Sequence, residues 1–130
     1  MPGVIEPGDT FLIVTSPTVG MKHLHIVISR AFNEPPARLL IPVTTAKNRH
    51  GEDSSCVLDV GDHPFIEHAS FLLYETPRVC SEQFLGTKTE RKSRLEPRVL
   101  VAVLNGALRS RWLPVKWKKL IELQRLRPDE

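Results

Sequence analysis

The sequence predicts a mainly β domain, a small antiparallel barrel or sandwich with helices at its C-terminal end. From Thr10 to Cys80, short stretches of β-forming residues follow one another closely, separated by Gly, Pro, Asn and Asp. In the last third the apolar period lengthens to that of a helix. At 130 residues the chain holds one core and is too short for two. Its 41% hydrophobic and 25% charged residues are those of an ordinary globular protein.

Pro7-Gly8-Asp9 is turn chemistry, and Thr10–Val14 after it reads as the first strand. Ser16-Pro17-Thr18-Val19-Gly20 opens a loop, and a second strand is expected from His23 to Ser29. Its alternation sets Leu24, Ile26 and Ile28 on one face and His23, His25 and Val27 on the other. After the turn at Asn33–Pro36 comes Leu39–Thr45, a strand with little tolerance for solvent. Pro42 has no amide hydrogen to donate, which predicts an edge position or a bulge. Only one of Thr44 and Thr45 can face a given cleft. Beyond the polar loop Lys47–Ser55, a fourth strand is expected over Ser55–Val60, then an excursion without clear period, His63–His68. Ser70–Tyr74 and Arg78–Cys80 read as one strand broken at Pro77, or as two short ones. Ser81–Gly86 reads as a helical turn stopped by its glycine.

Leu100, Val103, Leu104, Ala107 and Leu108 repeat at helical spacing, with Pro97 suited to the first turn and Ser93/Glu96 offering a capping box. Pro114 restarts a second helix with Leu113, Trp117, Leu120 and Ile121 on one side and Lys116, Lys118 and Lys119 on or beside the other. The domain is expected to span residues 1–112, and residues 113–130 to be a basic helical extension.

Charge is unevenly spread. Residues 1–87 carry a net −4 and residues 88–127 a net +9. A basic tail on a mildly acidic body suggests an anionic partner for the tail, or simply a solvated basic face. No run approaches the roughly 18 apolar residues that span a bilayer, and the N-terminus lacks a secretory leader's pattern, so the expected address is the cytoplasm. Cys56 and Cys80, inside apolar runs, are expected to be buried free thiols. Phe65, Phe71 and Tyr74 read as core aromatics, with base stacking as the alternative. Asp59, Asp62, His63 and His68 match no metal-ligand spacing.

The histidines carry the chemical interest. Cleaving RNA through its 2′-hydroxyl requires one group to take that proton, another to protonate the leaving oxygen, and donors for the phosphate. Imidazole serves the first two roles near neutral pH. His23, His25, His63 and His68 are available, with Lys22 as a phosphate donor. His23 and His25 share a strand face about 7 Å apart. The plainer alternative is half-exposed strand and loop histidines without a role.

Taken in order, several segments resemble the MazF/PemK family of toxin endoribonucleases from bacterial toxin–antitoxin modules. Gly8-Asp9 is similar to that family's opening, Pro17-Thr18-Val19-Gly20 to its Pro-Thr-x-Gly loop, and Ile26-Val27-Ile28-Ser29 to its second strand. Ile41-Pro42-Val43-Thr44-Thr45 resembles its Val-Pro-x-Thr-Thr/Ser strand, the run Ala69–Val79 a later strand, and Leu95-Glu96-Pro97 its helix opening. The resemblance covers residues 6–110. It implies an SH3-like, PemK-type barrel, a homodimer, that cuts single-stranded RNA without metal or other cofactor and is held by a cognate antitoxin protein.

In that family the catalytic pair is an arginine opening the second strand and a threonine in the third. These positions fall here on His23 and Thr44. The loop before the second strand is shorter, and the family pattern does not account for His63–His68 or the second helix. Histidine does not reproduce arginine's permanent charge and two-donor clamp. On this reading His23, Thr44 and His63 are the expected catalytic groups. Lys22, His25, Thr45, Lys47 and His68 are the expected substrate contacts. The competing reading is a non-catalytic SH3-like module that binds a protein partner, favoured by the acidic body, since an RNA groove normally carries a positive field.

Overall fold

The structure is a computed structural model and describes residues 4–16, 21–47 and 51–126. The Pro17–Gly20 motif lies outside the described residues. The elements run β1 (Thr10–Ser16), β2 (Met21–Val27), β3 (Ala37–Thr45), β4 (Val57–Leu58), β5 (Ser70–Leu72), β6 (Arg78–Ser81), α1 (Glu82–Thr87), β7 (Glu90–Lys92), α2 (Pro97–Arg109) and α3 (Val115–Leu123). All strand pairs are antiparallel, in the order β4-β5-β3-β2-β1-β7, with β6 also on β3. The protein is thus mostly antiparallel sheet with helices at the C-terminal end, and the path is open between β4 and β7.

Pro42 does not put β3 at an edge. Its strand is central, with β2 along one side and two partners in succession along the other: β6 pairs Ala37–Leu40 and β5 pairs Val43–Thr45. The Pro42 carbonyl accepts from the Leu73 amide at 2.8 Å. In an antiparallel ladder a residue's N and C=O face the same side. The missing amide hydrogen therefore falls at the change of partner, where it is least needed.

Alternation along the strands feeds two cores. Leu12, Leu24, Ile26, Leu39, Ile41 and Val43 join Val99, Val103, Leu104 and Ala107 of α2. Phe11, Ile13, Val27 and Leu40 point the other way, onto Cys80 and Leu85. Cover on both faces explains why β3 reads as a nearly unbroken apolar run. Leu113, Ile121 and Leu126 enter the larger core, and Trp117 meets Phe32 with ring centroids 5.7 Å apart, so α3 packs as part of the body. Among the described residues no helix is long and apolar enough to cross a membrane.

Several boundaries differ from expectation for local reasons. The second strand starts at Met21 and ends at Val27, although the Ile28 amide still donates to the Leu39 carbonyl at 2.9 Å. Of the fourth strand only Val57–Leu58 pairs. Asp53 accepts the Ser55 amide and Asp62 the Asp59 amide, so side chains claim the flanking backbone. The 70–80 region forms two strands. α1 is capped by the Ser81 hydroxyl, which accepts from the Phe84 amide at 3.0 Å, and it runs through Gly86. α2 begins with Pro97 at its first position but has no side-chain cap, so the Ser93/Glu96 box does not form.

Gly106 lets α2 lie close to the body. A Cβ built there would stand 2.6 Å from both the Cys56 Cβ and the Tyr74 hydroxyl, and 3.0 Å from the Ser55 carbonyl oxygen. Tyr74 is committed, donating to the Val103 carbonyl at 2.6 Å. Alanine in mid-helix ordinarily gains up to about 1 kcal/mol over glycine. Here Gly106→Ala is expected to destabilise by about 1–3 kcal/mol through overpacking. Urea unfolding measures it, and a stabilised variant would refute this close approach.

Candidate functional site

The β2–β3 ladder stops at His25 opposite Pro42. Beyond that point Lys22–Leu24 and Val43–Thr45 border a cleft of 290 Å³, closed on its far side by Phe65–His68 and Ser70. Continuing the ladder's register sets His23 across from Thr44, both on the same face of their strands. Five of the eight residues predicted from sequence line this cleft: Lys22, His23, Thr44, Thr45 and His68.

His23 is half-buried, and its Nδ1 lies 2.7 Å from the Thr15 hydroxyl. That hydroxyl is also 3.4 Å from the Met21 carbonyl. If Thr15 donates to Met21, it accepts from Nδ1–H and the Nε2 lone pair is bare. If it donates to Nδ1, Nε2 carries the hydrogen. One threonine thus orients the ring in either neutral tautomer. Sequence reasoning missed Thr15, although strand alternation was the signal that places it beside His23.

Lys22 reaches Glu90 at 3.3 Å, both side chains about half exposed. Glu90 also pairs with Lys92 at 3.0 Å, and these two lysines, Lys92 foremost, hold its carboxyl below the usual range. Exposed pairs of this kind are weak because water screens them, so a phosphate can compete for Lys22. Phe65, expected in the core, is 44% exposed and presents a ring to the cleft. Phe71 and Tyr74 are buried as expected.

His63 is placed elsewhere. It is only 3% exposed and does not line the cleft. Its Nε2 lies 2.7 Å from the Ser93 carbonyl and 3.1 Å from the Thr10 hydroxyl, and its Nδ1 accepts from the Phe65 amide at 3.0 Å. Nε2 therefore donates and Nδ1 accepts, which fixes a neutral ring. Burial lowers its pKa. Its carbonyl accepts the Ile66 amide at 2.9 Å. The expected catalytic histidine is a clip that fastens the cleft's far wall to β1 and to the segment before α2.

Two other expected contacts also lie outside the cleft. Lys47 is exposed in the following loop, its amide bonded to the Glu52 carboxylate at 2.9 Å. His25 is fully buried behind His23, its Nδ1 2.9 Å from the His23 carbonyl. A carbonyl only accepts, so Nδ1 carries the hydrogen. Burial, the largest influence, lowers the His25 pKa to about 4.

Among the described residues no group of three or more His, Cys, Asp or Glu converges as metal ligands. Cys56 and Cys80 are free and buried, and burial pushes the Cys56 thiol up to about 11. Part of the basic excess is used internally: Arg91 and Arg94 hold the buried Asp9 carboxylate at 2.7 and 2.9 Å, and Arg98 reaches Asp62 at 3.3 Å. Comparison with protein-family models and with curated proteins finds no match to either.

The two buried histidines tie stability to pH. Each binds its proton less readily folded than unfolded, so the unfolded chain gains protons first on acidification. Their stabilisation is complete above the unfolded value of 6.5 and, for His25, is lost as pH falls towards about 4. The His25 share is about 3 kcal/mol. Urea unfolding over this pH range is expected to show that loss, and His25→Leu to flatten most of it. Equal slopes in both proteins would contradict the assignment.

Proposed function

We propose that the chain is a divergent toxin endoribonuclease of the MazF/PemK kind, built on an opened variant of the SH3-like barrel. It acts on single-stranded RNA in the cytoplasm, as a homodimer, and is restrained by a cognate antitoxin protein. The meeting of His23 and Thr44 in one cleft carries this reading, because motif order and strand register arrive independently at the same pair.

His23 takes the proton of a ribose 2′-hydroxyl, and the freed oxygen attacks the adjacent phosphorus. The bond from phosphorus to the 5′-oxygen breaks, and that oxygen takes a proton from His68, which replaces His63 as the acid on the opposite wall. A 2′,3′-cyclic phosphate and a 5′-hydroxyl result, with no oxidant and no metal in the balance. Thr44 and Lys22 hold the phosphate, Thr45 borders it, and Phe65 stacks on a base.

A second reading has its own support. Glu67 lines the cleft, Lys22 is engaged by Glu90, and among the described residues no arginine lines the cleft. This suits a binding module without chemistry, whose partner is the antitoxin alone.

The assay is purified protein on a long single-stranded RNA with chelator present, followed by mapping of the cut ends. Cyclic-phosphate ends and a bell-shaped pH–rate profile are expected. His23→Ala is expected to lower the rate by about 10²–10⁴-fold with the fold retained, and Thr44→Ala to weaken cleavage. RNA left intact by the wild type, or cuts unchanged in both variants, would leave the binding module as the reading.

A further inference from the structure

The 63–68 excursion lies between β4 and β5 and is pinned at both ends. At its start the Phe65 amide donates to His63 Nδ1 at 3.0 Å and the Ile66 amide to the His63 carbonyl at 2.9 Å. At its end the Ser70 hydroxyl donates to the His68 carbonyl and the Ala46 amide to the Ala69 carbonyl, at 2.8 Å each. Ile66, 5% exposed, roots the middle in the larger core. Its neighbours Phe65 and Glu67 are left exposed, and both line the cleft.

Among the described residues, Glu67 is the one acidic side chain lining the cleft, and its carboxylate meets no hydrogen-bond or ion-pair partner. Beside a phosphate its charge is repulsive. Such a group favours a nucleic acid only where it accepts from donors on a base. A carboxylate accepts through both oxygens and donates nothing. Among the four RNA bases, guanine alone presents two adjacent donors, N1–H and the N2 amine, on one edge. Adenine and cytosine set a single amine beside a ring acceptor, and uracil flanks its N3–H with two carbonyls. Each of these brings a lone pair against the carboxylate. Phe65, with its ring at the cleft, supplies a face for the same base. Lys22 stands on β2, across the cleft, so the two signs of charge occupy separate walls.

We propose that the 65–67 segment reads guanine: Phe65 stacks on the base, and the Glu67 carboxylate accepts from N1–H and from the N2 amine. In the endoribonuclease reading, on which this rests, the base belongs to single-stranded RNA and the cut falls beside a G. A free guanine nucleotide presents the same edge without the neighbouring phosphates of a strand.

The test measures, by fluorescence anisotropy, binding of the full chain to four short 2′-O-methyl uridine strands carrying G, A, C or U at one central position. The methyl group blocks the attacking oxygen, so none can be cut. The G strand is expected to bind roughly tenfold to a hundredfold tighter than the others. Glu67→Gln keeps the size of an exposed side chain and turns one acceptor into a donor. It is expected to erase the preference while binding the other three strands at least as tightly, since a repelling charge has gone. Phe65→Ala is expected to weaken all four by about tenfold. Four strands bound alike or not at all, or a G preference that survives Glu67→Gln, overturns the proposal. Guanosine 5′-monophosphate bound as tightly as the G strand overturns the strand form and assigns the pocket to the free nucleotide. RNA cut beside all four bases alike would remove guanine reading and leave the nuclease reading standing. A G preference that depends on Glu67, with RNA left whole, would do the reverse.

Discussion

The structure depends on how β3 forms hydrogen bonds along both edges while carrying a residue that has no amide hydrogen. The chain meets this constraint by changing partners at Pro42, from β6 to β5, and by using the lone Pro42 carbonyl to catch Leu73. The same position ends the ladder with β2. Past it, both strands keep their direction but no longer pair. A cleft forms there, with strand residues on one side and the 65–68 segment and Ser70 on the other. The cavity is thus a consequence of where the proline sits.

Polar clips then hold the remaining segments against this frame. Thr10 and His63 both reach the Ser93 carbonyl, at 2.7 Å each, fixing β1, the 63–68 excursion and the approach to α2 around one oxygen. Asp9, 5% exposed, does the same for β7 and the following turn through Arg91 and Arg94. A buried carboxylate is costly unless paired, so these contacts specify geometry more than they add net stability. They also redefine the basic tail. Arginines 91, 94 and 98 serve the body, while Arg111, Lys116 and Lys119 remain on the exposed surface at and after the α2–α3 connection.

Strand alternation made the core legible: Leu24, Ile26 and Ile28 share a face as their spacing requires, and Leu104 lies in the core at 5% exposure. It also brought His23 and Thr44 to one face. What stayed hidden were choices made by single side chains. β7, Glu90-Arg91-Lys92, is wholly charged and exposed, and gives no apolar period by which to be found; such charges protect an edge strand. His63 looked like a loop histidine free for chemistry, because nothing in sequence joins it to Ser93, 30 residues away. His25 differs from His23 only in depth, fully buried against half-buried, and two histidines on one strand face carry no sign of that in sequence.

That difference in depth gives the paired histidines unlike roles on one strand. The His23 ring is oriented by Thr15 and its carbonyl by His25, so the buried residue fixes the backbone of the exposed one. Fixing it through Nδ1 leaves the buried Nε2 without a hydrogen-bond partner, a cost of about 1–3 kcal/mol. An apolar residue at position 25 would lift that cost and surrender the bond to the His23 carbonyl with it. The two effects run through one imidazole, so stability and a fixed His23 cannot both be maximised at this position. Such conflicts between local stability and geometry concentrate where a structure does something other than fold.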